Sequence, residues 1–324
     1  LNVADSVFTV SVDVEDFFSP RPPTDMYRAR LDSGEWGALK IADLCEKSGV
    51  QATFFVDVVN VDGHVDQAMI RDLCQELDRR GHEVALHTHP PRLPHHAGAI
   101  NDRVLLNYGF EEQYSFIMTG AERILTWTGK WPRTHRAGSY GANAQTFKAL
   151  ERAGILRDSS VFWGRKQFDF IADANSGRTF SFRIGEVNEF PVTSFFTSTM
   201  LGLIRARKKF DLNWLGRDEA LAFIANTRYK RVDYFLHSYS LLDCRTWQPS
   251  AYFTLAFEQG LAALLRRFIP KRFDELSPAL ASVGELDSEE KHHLRLSDYA
   301  QDDWENIYLS KIALRLGRVG MTKY

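Results

Sequence analysis

Apolar, strand-like runs alternate with helix-like segments along most of this chain, and that rhythm leaves few folds open. Phe8–Val14 is rich in β-branched residues and predicts a first strand. Gly37–Lys47 carries Leu39, Ile41, Ala42 and Leu44 in a helical pattern that Gly49 ends, and Gln51–Val56 predicts a second strand. Ala68–Arg80 predicts a helix stopped by Gly81, followed by a strand over Glu83–Leu86 that leads into His87. Glu111–Thr128 and Ala144–Ala153 predict helices, with a strand around His135-Arg136 between them and an extended run, Ile155–Phe162, after them. Glu186–Val192 and Val232–His237 read as strands, and Asp218–Arg228 and Leu255–Phe268 as helices. Such alternation predicts parallel strands joined by right-handed crossovers, in a barrel or an open sheet.

In either arrangement ligands gather at the carboxyl ends of the strands. The polar residues of interest sit there: Asp13, Glu15, His87, His89, Arg136, Asp158 and His237. Four of the ten histidines fall between Ala85 and His96. In an extended segment residues two apart look the same way, so His87 and His89 could reach one ion if a carboxylate completed the set. The prolines at 90, 91 and 94 forbid a helix directly after them. Plainer roles exist for each residue taken alone. Asp13 or Asp16 could cap a turn or helix, Arg136 could form an ordinary ion pair, Asp158-Ser159-Ser160 could be a capping segment and His237 a satisfied core histidine. Trp163, Trp214 and Trp247 could stack on sugar rings or simply pack.

At 324 residues, 44% of them hydrophobic and 13% aromatic, the chain can bury a sizeable core. A net charge of −2 lacks the basic excess that a nucleic-acid surface needs. Cys45, Cys74 and Cys244 lie far apart with no CxxC or CxxH spacing, which argues against a disulfide framework or a cysteine zinc site and fits a reducing compartment. No stretch of about 18 uncharged apolar residues occurs to span a membrane, and no secretory leader precedes the first strand, so the expected location is cytoplasmic. A serine hydrolase is disfavoured, because no G-x-S-x-G segment is present.

Taken in order, these residues resemble the polysaccharide deacetylases of carbohydrate esterase family 4, a group that includes chitin, peptidoglycan and nodulation-factor deacetylases. Ser11-Val12-Asp13-Val14-Glu15-Asp16 is similar to the family's first motif, in the D-x-E-D variant of a branch associated with exopolysaccharide gene clusters. Ala52-Thr53-Phe54-Phe55-Val56 matches the strand that follows, and Gly81-His82-Glu83-Val84 introduces the second motif. Arg136-Ala137-Gly138-Ser139-Tyr140 resembles the third motif, Arg157-Asp158-Ser159-Ser160 the fourth and Phe235-Leu236-His237-Ser238 the fifth. The second motif departs from the usual H-[ST]-x-x-H-P, because Pro91 stands four residues after His87. His89 would then supply the second ring, with His95 and His96 as alternatives.

The resemblance implies a distorted (β/α) barrel of about seven parallel strands over residues 1–272, with a helical extension over 273–324 packed on it. It implies removal of an N-acetyl group from an amino sugar of a glycan or glycan precursor, with a divalent metal, zinc before cobalt or nickel. On the residues of this chain, Glu15, His87 and His89 would be the metal ligands, with Asp16 the rival carboxylate. Asp13 would be the general base, Arg136 its partner, His237 the acid and Asp158 the residue that orients it, while a backbone N–H near Ser139 or Tyr140 would hold the oxyanion. Two other readings keep the fold: a deformylase or other C–N amidohydrolase, and a catalytically silent glycan-binding protein.

Overall fold

A computed structural model describes residues 6–16, 25–59, 66–90, 104–163, 165–168, 181–199, 204–277 and 293–294. The main strands are β1 (Val7–Val14), β2 (Thr53–Asp57), β3 (Glu83–Thr88), β4 (Thr134–Ala137), β5 (Arg157–Asp158), β6 (Phe182–Ile184), β7 (Val187–Glu189), β8 (Ser194–Thr199), β9 (Ile204–Lys209), β10 (Arg231–His237) and β11 (Ile269–Pro270). The helices are α1 (Ala38–Lys47), α2 (Gln67–Arg79), α3 (Phe110–Thr128), α4 (Ala144–Arg152), α5 (Arg217–Asn226) and α6 (Ala251–Leu265).

The large sheet runs β10-β1-β2-β3-β4-β5-β7-β6, with β11 added at the start of β1. The successive pairs from β10 to β7 are all parallel, which makes seven parallel strands, and only β6 turns back against β7. This is the distorted (β/α) barrel that the alternation and the resemblance led us to expect. Between β7 and β10 the wall is completed by irregular chain: the Phe210 N–H donates to the Thr193 carbonyl, and the Phe235 and Leu212 N–H groups cross to the facing strand.

Strands buried on both faces read as continuous apolar runs unless one face is polar for a reason. β1 shows the second case. Phe8, Val10, Val12 and Val14 join the core beneath the helices, whereas the Thr9 and Ser11 hydroxyls point the other way and donate to the two oxygens of Asp233 on β10, at 2.8 Å each. The barrel interior is therefore partly polar, and its carboxyl end inherits Asp13 and His237, which face each other across the β1–β10 ladder.

The amino end of the barrel is plugged by the chain after α6. Phe273 sits edge-on to Phe55 and Phe190, and its N–H donates to the Thr53 hydroxyl at 3.0 Å. Of the expected extension at 273–324, only 273–277 and 293–294 are described; His293-Leu294 pairs with β8, and the rest, including Trp304, lies outside the described residues.

One expectation is narrowed and one element is new. The extended run over Ile155–Phe162 is a strand only at Arg157–Asp158, because the Asp158 carboxylate accepts from the Ser160 N–H at 2.9 Å and turns the chain. The antiparallel hairpin β8–β9 is an element that the sequence pattern did not lead us to expect.

Candidate active site

Strand register assembles the site. Asp13 lies beside Phe55 of β2 and His237 of β10, and His87 lies between Asp57 of β2 and Arg136 of β4. Arg136 is wholly buried beneath them. One of its terminal nitrogens donates to Asp13 Oδ1 at 2.7 Å; the other reaches Asp233 Oδ2 at 3.2 Å and Ser159 Oγ at 3.1 Å, while Nε meets the Ser159 carbonyl. The Phe55 ring lies 4.0 Å from the guanidinium carbon. Burial alone would lower the pKa of such a group, but the Asp13 and Asp233 carboxylates outweigh it and raise it. The guanidinium is thus a fixed fork that sets the orientation of Asp13.

Glu15, two residues on from Asp13, meets both histidines of the His87-x-His89 pair. Its Oε2 lies 3.2 Å from His87 Nε2 and 2.6 Å from His89 Nε2. The other ring nitrogen of His87, Nδ1, is 2.9 Å from the Arg136 carbonyl oxygen. A carbonyl can only accept, so Nδ1 carries a proton and Nε2 is the nitrogen left to face Glu15. Burial would raise the Glu15 pKa, yet hydrogen bonds and charge from His87 and His89 pull it well below the carboxylate range. His87 responds in kind: burial opposes its charged form, but Asp13, Glu15 and Asp57 push it up to about 9.

One carboxylate oxygen and two imidazole nitrogens lie within 4.8 Å of one another here. They form the donor set that suits a zinc-like ion, and the His87 Nδ1 hydrogen bond fixes the tautomer that such an ion requires. Asp16 is not among the three, and His95 and His96 lie outside the described residues. The His89 ring is held from behind by Gly138, where a Cβ would fall 2.2 Å from Cε1.

His237 approaches from β10, the strand beside β1, with Nε2 3.6 Å from Glu15 Oε1. Its ring stacks on Tyr239 at 5.0 Å and meets Phe235 edge-on at 4.9 Å. Burial lowers its pKa, and the negative charge of Glu15 and Asp211 only partly offsets this. Asp158, expected to orient this histidine, does not do so. The β4–β5 register pairs it with His135, whose Nδ1 is 2.6 Å from its carboxylate, on the face opposite to Arg136 and Ser159. Its neighbour Glu189 is forced far up by burial and by the Asp158 charge, so Glu189 keeps its proton and donates it toward Asp158.

Ser139 and Tyr140 form a tight turn at the end of β4, both with left-handed φ, 54° and 56°. The Ser139 carbonyl accepts from Arg165, and the Tyr140 hydroxyl accepts from Lys209 at 2.9 Å. Of the three tryptophans singled out, Trp163 is buried against Phe182, Trp214 is exposed near Lys209, and Trp247 is edge-on to Tyr239. Sequence reasoning missed Ser11, Asp233, Lys209, Asp211 and His135. Period-two spacing from Asp13 and His237 could have flagged Ser11 and Asp233; nothing local marks the other three.

Residues 33–156 match the family model described as polysaccharide deacetylase. No curated protein matches the chain. Among solved structures, a Mycobacterium smegmatis protein assigned to the polysaccharide deacetylases is 15% identical, with 90% of this chain and 96% of that one covered and a TM-score of 0.56, which shows a shared fold. A family 4 carbohydrate esterase from Streptomyces lividans in complex with acetate is 12% identical, with 86% and 96% covered and a TM-score of 0.46. A peptidoglycan deacetylase from Bacillus subtilis is 12% identical, with 84% and 89% covered and a TM-score of 0.44. Among the described residues no helix is long and apolar enough to cross a membrane. The matched segment, residues 33–156, is thus similar to polysaccharide deacetylases, and it is set in a seven-stranded parallel half barrel of the fold shared with the Mycobacterium smegmatis protein.

Proposed function

We propose that this protein removes the N-acetyl group from an amino sugar of a glycan or glycan precursor, with a divalent metal, zinc foremost, held by Glu15, His87 and His89. The observation that carries this reading is the convergence of those three ligand atoms beside the Arg136–Asp13 pair at the carboxyl ends of the strands. A zinc-like ion in such a set supplies a water of lowered pKa and polarises the acyl oxygen.

The chain's own residues divide the remaining work. Asp13, locked by Arg136, has its second oxygen 3.9 Å from His87 Nε2 and is placed to take the proton of the attacking water as general base. His237, beside Asp13 on the adjoining strand β10, is placed to hold a proton at Nε2 for the departing amine. The Gly138–Tyr140 turn, pressed against His89, borders the position of the acyl oxygen. Asp158 acts at a distance from this chemistry, through His135.

The test is acetate release from N-acetylated glucosamine oligomers by protein stripped with a chelator and then resupplied with metal. Activity should vanish on stripping and return with zinc, cobalt or nickel, and the His87→Ala and His89→Ala variants should bind no stoichiometric metal. Full activity in the metal-free protein would overturn the reading. Release of formate in preference to acetate from matched N-acylated sugars would move the assignment to a deformylase, and glycan binding without turnover would make the protein a binding module.

A further inference from the structure

The Tyr140 ring packs against Phe235, the ring that also meets His237 and the Arg136 guanidinium, and its hydroxyl is in a state that the proposed residue roles leave unexplained. Tyr140 is 7% exposed, and its hydroxyl oxygen accepts a hydrogen bond from the Lys209 ammonium at 2.9 Å. An ammonium can only donate, so the tyrosine's own proton must point elsewhere. Among the described residues nothing accepts it. A buried hydroxyl proton left without an acceptor is costly, and sites that tolerate one commonly reserve it for a ligand.

Lys209 is itself a built feature. It lies on β9, with Nζ 2.9 Å from the fully buried Asp211 carboxylate and 4.5 Å from the centre of the Phe235 ring, the same ring that His237 meets on its edge. Burial disfavours its charged form, yet the Asp211 carboxylate and the hydrogen bonds to Tyr140 and Asp211 favour it, and its pKa is raised, so it stays an ammonium. Burial likewise pushes the Tyr140 phenol up to about 12, with Asp13 adding to the rise and Lys209 and Arg136 opposing it. The phenol therefore keeps its proton, and it lies near enough to Asp13 and Arg136 to feel their charges. A hydroxyl whose oxygen accepts from a cation donates more strongly through its own hydrogen.

We propose that the Tyr140 hydroxyl, polarised by Lys209, donates a hydrogen bond to the acyl oxygen of the substrate beside Asp13. Tyr140 is then a catalytic residue through its side chain, and Lys209, anchored by Asp211, is a positioning residue that acts through it. The inference rests on the amidohydrolase reading for the identity of the acyl group. The turn that carries Tyr140 also buttresses His89, so donor and metal ligands are fixed by one segment.

The experiment measures the affinity of zinc-supplied protein for sodium acetate, alongside kcat and KM for acetate release, in the wild type, Tyr140→Phe, Lys209→Met and the double variant. Removing a donor aimed at a developing oxyanion should lower kcat by about 100-fold with KM little changed. Acetate binding should weaken by about ten-fold in Tyr140→Phe and by a smaller factor in Lys209→Met. The double variant should be no worse than Tyr140→Phe, which a merely structural role for Lys209 would not produce. Equal acetate affinity in wild type and Tyr140→Phe overturns the proposal, as does a wild type that binds no acetate. Effects that multiply in the double variant overturn the action of Lys209 through the phenol. Phenol-dependent acetate binding in a wild type that hydrolyses no N-acetyl sugar would uphold the donor and refute the deacetylase reading.

Discussion

Replacing Gly138 by alanine should empty the proposed metal site without substituting any of Glu15, His87 and His89. A Cβ at this position would stand 2.2, 2.3 and 2.4 Å from Cε1, Nε2 and Nδ1 of His89, and ordinary contacts begin near 3.4 Å, so about 1 Å of movement is required. The ring has little room to yield. His89 is 1% exposed, and its Nε2 is already 2.6 Å from Glu15. Metal–ligand distances tolerate only about 0.2 Å, and a change that misorients a ligand typically costs 10- to 100-fold in affinity. We expect zinc affinity to fall by about 100-fold, or roughly 3 kcal/mol. Competition against a chromogenic chelator measures this, with a urea unfolding curve of the metal-free protein as the control for folding. Gly109→Ala is the comparison, since a Cβ there meets only Glu112, at 3.5 Å. Zinc affinity in Gly138→Ala within two-fold of the wild type would show that His89 does not hold the ion in this orientation.

Three further outcomes follow from the buried charges. Arg136→Met strands the Asp13 and Asp233 carboxylates and should cost about 3–5 kcal/mol in urea unfolding, with Asp233→Asn in the same chain restoring part of it. Asp13→Asn leaves Glu15, His87 and His89, the proposed metal ligands, in place, so metal content should stay stoichiometric while acetate release falls about 10²- to 10⁴-fold. Glu83 gives a pH dependence. Burial, with the nearby Asp274, pushes its carboxyl up to about 7 against hydrogen bonds from Thr134 and Thr53. The folded chain then binds more protons than the unfolded one between pH 4.5 and about 7. Stability from this group is complete below that window and is lost as pH rises through it. Glu83→Gln should flatten that decline, measured as the urea midpoint at pH 5 and pH 8; an unchanged slope would place the titration elsewhere.

The parts legible in the sequence were those written in local pattern. β1, β2 and β3 declared themselves by β-branched and apolar runs, and α1, α2 and α4 by periodicity closed with Gly49, Gly81 and Gly154, each in a left-handed conformation that favours glycine. Asp13, Glu15 and His87-x-His89 were readable because period two puts such residues on one face of an extended chain. Asp158 was misassigned to His237 because its partner depends on register between strands about twenty residues apart. His135 sits opposite it by ladder pairing, which no local pattern encodes.

Lys209, Asp211 and Asp233 show the same limit more strongly. Lys209 stands in a basic run on β9 that reads as a solvated strand, and only the closure of the wall by residues 210–212 against β10 brings it to the Tyr140 hydroxyl. The sequence by itself determined which segments become strands and helices and which strand ends carry acids and histidines, because those follow from side-chain periodicity within a few residues. The tertiary structure alone decided which of those groups meet, which remain charged and which proton is left to face the cleft. Those properties depend on distance and burial among residues far apart in the chain, as between Ser11, Arg136 and Asp233.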